Sequence, residues 1–161
     1  MRTISKDHLF DILSLQQTLY DYCAEIDAGA ARVQDYFAPD CVFTVGGTAW
    51  LGREGVRQHY DDDAQSVKRL CKDGVKVVRH AMLNPRIAIQ DDGSAVVGLI
   101  FLNFSAGGQP PFFDGASPTV VADTRMTCRR DADGRWLIHE FTGTPLFFGN
   151  DPYINAVLRD L

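Results

Sequence analysis

The sequence predicts an α+β domain in which helices come first and a long antiparallel sheet follows. Three observations carry this. Apolar residues recur every three or four positions in the first thirty residues, long β-rich segments follow Lys76, and two Asp/Gly turns separate those segments.

Ser5 offers an N-cap, and Leu9, Ile12, Leu15, Leu19, Tyr22, Cys23 and Ile26 form one apolar stripe, so a helix is expected from Lys6 to Ala28, ended by Gly29. A shorter helical stretch from Ala31 to Phe37 is closed by Pro39, and Cys41 to Val45 reads as a strand that Gly46 and Gly47 turn. Arg53 to Asp63 reads as another short helix, with Val56 and Tyr60 on one side and Asp61, Asp62 and Asp63 as a solvated acidic end. Four strands are then expected: Val77 to Gln90, Ala95 to Ser105, Thr119 to Arg130 and Arg135 to Thr144. The turns Asp91-Asp92-Gly93-Ser94 and Asp131-Ala132-Asp133-Gly134 supply hairpin chemistry, so the strands they join should be antiparallel neighbours. The Gly- and Pro-rich stretch from Ala106 to Pro118 continues neither neighbour and is expected at a pocket mouth. Helices laid over a curved sheet make a cone with a cavity.

The chain has 161 residues, 45% hydrophobic and 23% charged, which fits a single domain over residues 1–161 with a buried core. A formal charge of −5 without clustered Lys and Arg argues against nucleic acid and anionic membrane surfaces as partners. No apolar run is long enough to span a bilayer, and the expectation is a cytoplasmic protein. Cys23, Cys41, Cys71 and Cys128 have no CxxC spacing, so reduced thiols are expected, and no His or carboxylate spacing suggests a metal site.

Four strings resemble the SnoaL-like, scytalone dehydratase-like group of the nuclear transport factor 2-like superfamily: Leu19 to Gly29, Tyr36 to Phe43, Leu51 to Val56, and Arg79-His80-Ala81-Met82-Leu83-Asn84-Pro85-Arg86-Ile87. The resemblance implies the superfamily's cone and a cofactor-free enzyme. Dehydratases and related lyases of the group pair an aspartate at the end of the first helix with a histidine early in the long sheet; the matching positions are Asp27 and His80. Tyr22, five residues before Asp27, stands where such enzymes often place a polar residue.

The chemistry fits those residue types. Elimination beside a carbonyl or phenol needs a base for a carbon-bound proton, an acid for the leaving hydroxyl and a donor for the developing enolate. Histidine titrates near neutrality, and a carboxylate on its other ring nitrogen fixes the tautomer. The same residues also have a purely structural reading, His80 as a bonded sheet histidine and Asp27 as a helix-terminal polar residue. Tyr22 and Tyr20, the latter seven residues before Asp27, compete for the role of phenolic donor. Arg125 shares one strand face with Asp123 and Thr127, either as an inward anion holder or as a surface ion pair. His8, His59 and His139 receive no role. Phe43, Trp50, Tyr60, Met82, Phe101, Phe141, Phe147 and Phe148 are expected to line the pocket and to favour an aromatic or polycyclic small molecule.

The implied activity is a lyase acting on a hydroxylated aromatic or cyclic compound by dehydration or by loss of a small fragment as in deformylation. A double-bond isomerase and a noncatalytic ligand-binding or dioxygenase small-subunit-like module are the alternatives. A homo-oligomer, dimer or trimer, is expected.

Overall fold

A computed structural model describes residues 5–113 and 117–149. The first helix, α1 (Leu9–Asp27), follows a single 3-10 turn in which Ser5 Oγ accepts the Asp7 N–H, and it buries Leu15, Leu19, Tyr22 and Ile26. The stripe read from the sequence is therefore the core-facing one. Where a short helix was expected after it, the chain makes only a 3-10 turn over Val33–Tyr36, and strand β1 (Phe37–Val45) begins before Pro39. Strand β2 (Thr48–Leu51) pairs back on β1 and was not expected at all. Gly52, at φ +65°, then turns the chain into α2, and a Cβ there would sit 3.0 Å from the Pro39 carbonyl oxygen.

Helix α2 (Gly52–Leu70) runs seven residues beyond the expected end. The acidic run does not terminate it. Asp61 pairs with Arg57 one turn earlier, and Asp63 meets the Lys76 ammonium at 2.9 Å. Strands β3 (Lys76–Ile89), β4 (Ala95–Gly107), β5 (Val120–Arg130) and β6 (Trp136–Phe148) complete one sheet in the order β2-β1-β6-β5-β4-β3. The hairpins at Asp91–Ser94 and Asp131–Gly134 are antiparallel as expected, while β1 runs parallel to β6, so the sheet is mixed rather than wholly antiparallel. The C-terminal stretch from Pro152 lies outside the described residues. Among the described residues no helix is long and apolar enough to cross a membrane.

The concave face of the sheet packs against α1 and α2 through Phe37, Phe43, Val97, Leu99, Met126, Ile138 and Phe141. One irregularity sets which side chains reach that face. At the hairpin, Ile89 lies opposite Ala95, a register that would carry His80 to Phe104. The register shifts between Leu83 and Arg86, where Asn84 takes φ +52°, and His80 lies opposite Asn103 instead. Ile87 and Ile89 pack inward below the shift; above it the inward residues are the even-numbered ones, Met82 among them. Without this bulge His80 would face outward.

Asn84 suits the left-handed conformation better than most residues because its short polar side chain tolerates it. Asn84→Gly is expected to stay near wild-type stability, whereas Asn84→Val, which adds a β-branch at positive φ, should lose about 1–2 kcal/mol in urea unfolding.

Candidate active site

Asp27 is the last residue of α1, where the helix already presents unpaired carbonyls, so a carboxylate there requires donors of its own. It finds two on one residue. The His80 backbone N–H donates to Oδ1 and Oδ2 at 3.1 and 3.3 Å, and His80 Nδ1 lies 2.7 Å from Oδ1. Strand β3 is an edge of the sheet, and the His80 N–H points away from β4, so Asp27 covers one donor of an open edge while it orients the ring. The side chains are 16% and 11% exposed for Asp27 and His80, respectively.

A neutral imidazole has one N–H. With the carboxylate on Nδ1, the proton belongs there and Nε2 carries the lone pair. Asn103 Nδ2 lies 2.9 Å from Nε2 and donates to it. This contact follows from the register: both backbone groups of the pair point away from each other, the His80 N–H to Asp27 and the Asn103 carbonyl to the Thr119 N–H, which makes it the closer kind of antiparallel pair. Burial holds the His80 pKa below its ordinary value, against the hydrogen bond and charge of Asp27, which pull it upward.

An aromatic run leads away from His80. Phe101 lies 5.2 Å from the imidazole, Phe141 6.4 Å from Phe101, and Phe43 4.9 Å from Phe141. Trp50 and Tyr60 extend it against Phe43 at 6.0 and 6.1 Å. Met82 stands two residues along β3 on the His80 face, opposite Phe101.

Several expectations are corrected. Tyr20 is 46% exposed and accepts a hydrogen bond from Gln16 Nε2 on the outer side of α1, because the inward face of the helix is the one that carries Leu15, Leu19, Tyr22 and Ile26. Tyr22 is fully buried in the core, packed on Phe37, with its hydroxyl 2.9 Å from that of Tyr60, so it ties α1 to α2 and makes no hydrogen bond with the dyad. Arg125 is exposed, since the inward residues of β5 are Ala122, Thr124, Met126 and Cys128. Phe147 and Phe148 are also exposed, and Phe148 lines a surface depression away from the dyad. A cation that does turn inward is Lys76, with a side chain 9% exposed and held by Asp63.

Two residues escaped the sequence. Asn103 had no motif to mark it, and extending the hairpin register would have selected Phe104. His59, expected on a polar helix face, sits between Trp50 at 4.5 Å and Phe43 at 5.1 Å, and burial pushes its pKa down as well. A surface depression of about 440 Å³ lined in part by Thr44, Gly143 and Pro145 contains neither dyad residue. Among the described residues, no three His, Cys, Asp or Glu side chains are placed to hold a metal ion.

The family model for the SnoaL-like domain matches residues 7–142. The chain belongs to the SnoaL-like family. No curated protein sequence matches it significantly. Among solved structures it is similar to ActVI-ORFA from Streptomyces coelicolor (TM-score 0.71, 16% identity, 84% of this chain and 96% of that one). It is similar also to a Catenulispora acidiphila protein in complex with S-DNPA (0.69, 20%, 92% and 96%). A third is a Novosphingobium aromaticivorans protein provisionally assigned as a scytalone dehydratase (0.70, 12%, 92% and 92%). At these identities the likeness is one of fold, the nuclear transport factor 2-like cone.

The pKa direction gives a test. In an NMR titration the His80 ring should still be mostly neutral at pH 6.5, the ordinary imidazole midpoint, and protonate only at lower pH, burial having lowered its pKa. Asp27→Asn removes the charge that favours the imidazolium and should lower the midpoint further. Because the unfolded chain binds that proton more readily, His80 contributes stability above about pH 6.5 that is lost as the pH falls through its folded value.

Proposed function

We propose that this SnoaL-like protein is a lyase that needs no cofactor and removes water, or a comparable small fragment, from a hydroxylated aromatic or cyclic molecule, with His80 as the base and Asp27 as its partner. The observation that carries the proposal is the Asp27–His80 contact of 2.7 Å, because it leaves a neutral imidazole with its lone pair on Nε2 on the concave face. A histidine held this way takes a proton from substrate, and the carboxylate stabilises the imidazolium that forms. The same group then returns the proton to the departing hydroxyl, so one residue serves both half-steps of a dehydration.

Support for an aromatic substrate comes from Phe101, partly buried and 5.2 Å from the imidazole, whereas Phe141 and Phe43 behind it are packed into the core and back its ring rather than line a site. The S-DNPA complex of the Catenulispora acidiphila relative supports small-molecule binding in this cone. The pairing of two largely buried ionisable side chains supports catalysis beside the structural contact Asp27 makes with the sheet edge, since perturbed ionisable groups cluster at functional sites.

His80→Ala is expected to lower turnover by about 10²–10⁴-fold on hydroxylated cyclic ketones and aryl diols followed by ultraviolet absorbance, with the circular dichroism spectrum unchanged. Asp27→Asn should fall between the two. Full activity in His80→Ala would remove the proposal, and a formaldehyde assay on the same samples separates deformylation from dehydration.

A further inference from the structure

We infer that the Asn103 carboxamide is a displaceable cap on the base: in the free protein its N–H occupies the lone pair of His80 Nε2, and on binding it passes to an oxygen of the substrate. The second half of this statement rests on the proposed proton-transfer function; the first half does not.

The cap follows from donor and acceptor counting. Asp27 takes the single N–H of the neutral ring at Nδ1, so Nε2 can only accept, and the donor it receives is Asn103 Nδ2 at 2.9 Å. The nitrogen that would take a proton from carbon is thus already engaged by the protein. The other end of the amide is not: Asn103 Oδ1 is buried and has no hydrogen-bond partner among the described residues. An amide satisfied at both ends would resist displacement, whereas this one trades a single contact for two once a ligand arrives. Side-chain freedom is limited, because the bulge at Asn84 and the closer type of strand pair hold Asn103 opposite His80.

The spacing also selects a ligand. The base nitrogen and the amide donor lie side by side, which suits a carbonyl compound whose acidic hydrogen is on the carbon next to the C=O. In the step, the C–H bond breaks and its proton goes to Nε2. The electron pair forms the C=C bond of an enolate, and the carbonyl π pair moves to oxygen, which receives the Nδ2–H. Asp27 remains ionised beside the imidazolium, and nothing is oxidised or reduced. Oδ1 is left to accept from a hydroxyl of the same molecule. Asn103 therefore favours a hydroxylated enolisable ketone over a simple alcohol or diol.

The test needs no turnover. Diethyl pyrocarbonate acylates a neutral imidazole through its lone pair, and peptide mass spectrometry gives the rate at His80 relative to His8 and His139 in the same sample. Asn103→Leu retains bulk but has no N–H, and Asn103→Ala has neither; both are expected to accelerate acylation of His80 at least tenfold. If Asn103→Leu reacts as slowly as wild type, the amide only shields the ring by its volume and the cap is wrong. Should the variants fail to fold, ¹⁵N-labelled wild-type protein serves: scalar coupling across the Asn103 Nδ2–H to His80 Nε2 bond is expected, and its absence overturns the assignment. Acceleration without lyase activity would sink the proposed function and leave the cap; lyase activity without acceleration would do the reverse.

Discussion

The bulge in β3 at Asn84 and Pro85 determines which face of the strand carries His80, and with it every polar contact of the site. Below the bulge the odd-numbered residues Ile87 and Ile89 pack on the core; above it the even-numbered ones do, so His80, Met82 and Lys76 share the concave face. A period-two strand allows no intermediate arrangement. One extra residue is enough to turn a surface histidine into a buried one, and Asn84 supplies the positive φ that the insertion requires.

Given that register, Asp27 does two things with one carboxylate. It satisfies an edge donor of β3 and it orients the ring of the same residue, so the geometry of the dyad is tied to the packing of α1 against the sheet edge. Asn103 completes the arrangement from the neighbouring strand. The two phenols, Tyr22 and Tyr60, and the ion pair of Asp63 with Lys76 hold α2 against the other elements and keep the second helix over the same face. Desolvation outweighs the attraction of Asp27 at His80, which keeps the ring neutral and able to accept a proton near neutral pH.

Much of this was legible in the sequence because its signals are local. The apolar stripe of α1, the Asp/Gly hairpins and the order of helices before strands each depend on residues a few positions apart, and the Asp27 and His80 pair stood in strings that resemble the family. What was not legible depends on long-range register or on tertiary context. The length of α2 was hidden because three consecutive aspartates read as a helix end, whereas Asp61 pairs with Arg57 on the helix and Asp63 with Lys76, thirteen residues on. The face of Arg125 is undetermined by alternation alone, since a strand does not say which of its sides is inward. Asn103 needed the bulge to be known first, and Tyr22 needed Tyr60.

In the proposed reaction His80 Nε2 removes a proton from carbon. The most direct measurement is deuterium incorporation, by NMR, into a cyclic hydroxyketone and its deoxy analogue incubated in heavy water with wild-type protein or His80→Ala. With wild type the hydrogens next to the carbonyl are expected to exchange above the buffer rate, faster for the hydroxylated probe, and with His80→Ala at the buffer rate. Equal exchange by the two proteins, or none above buffer with wild type, would contradict it.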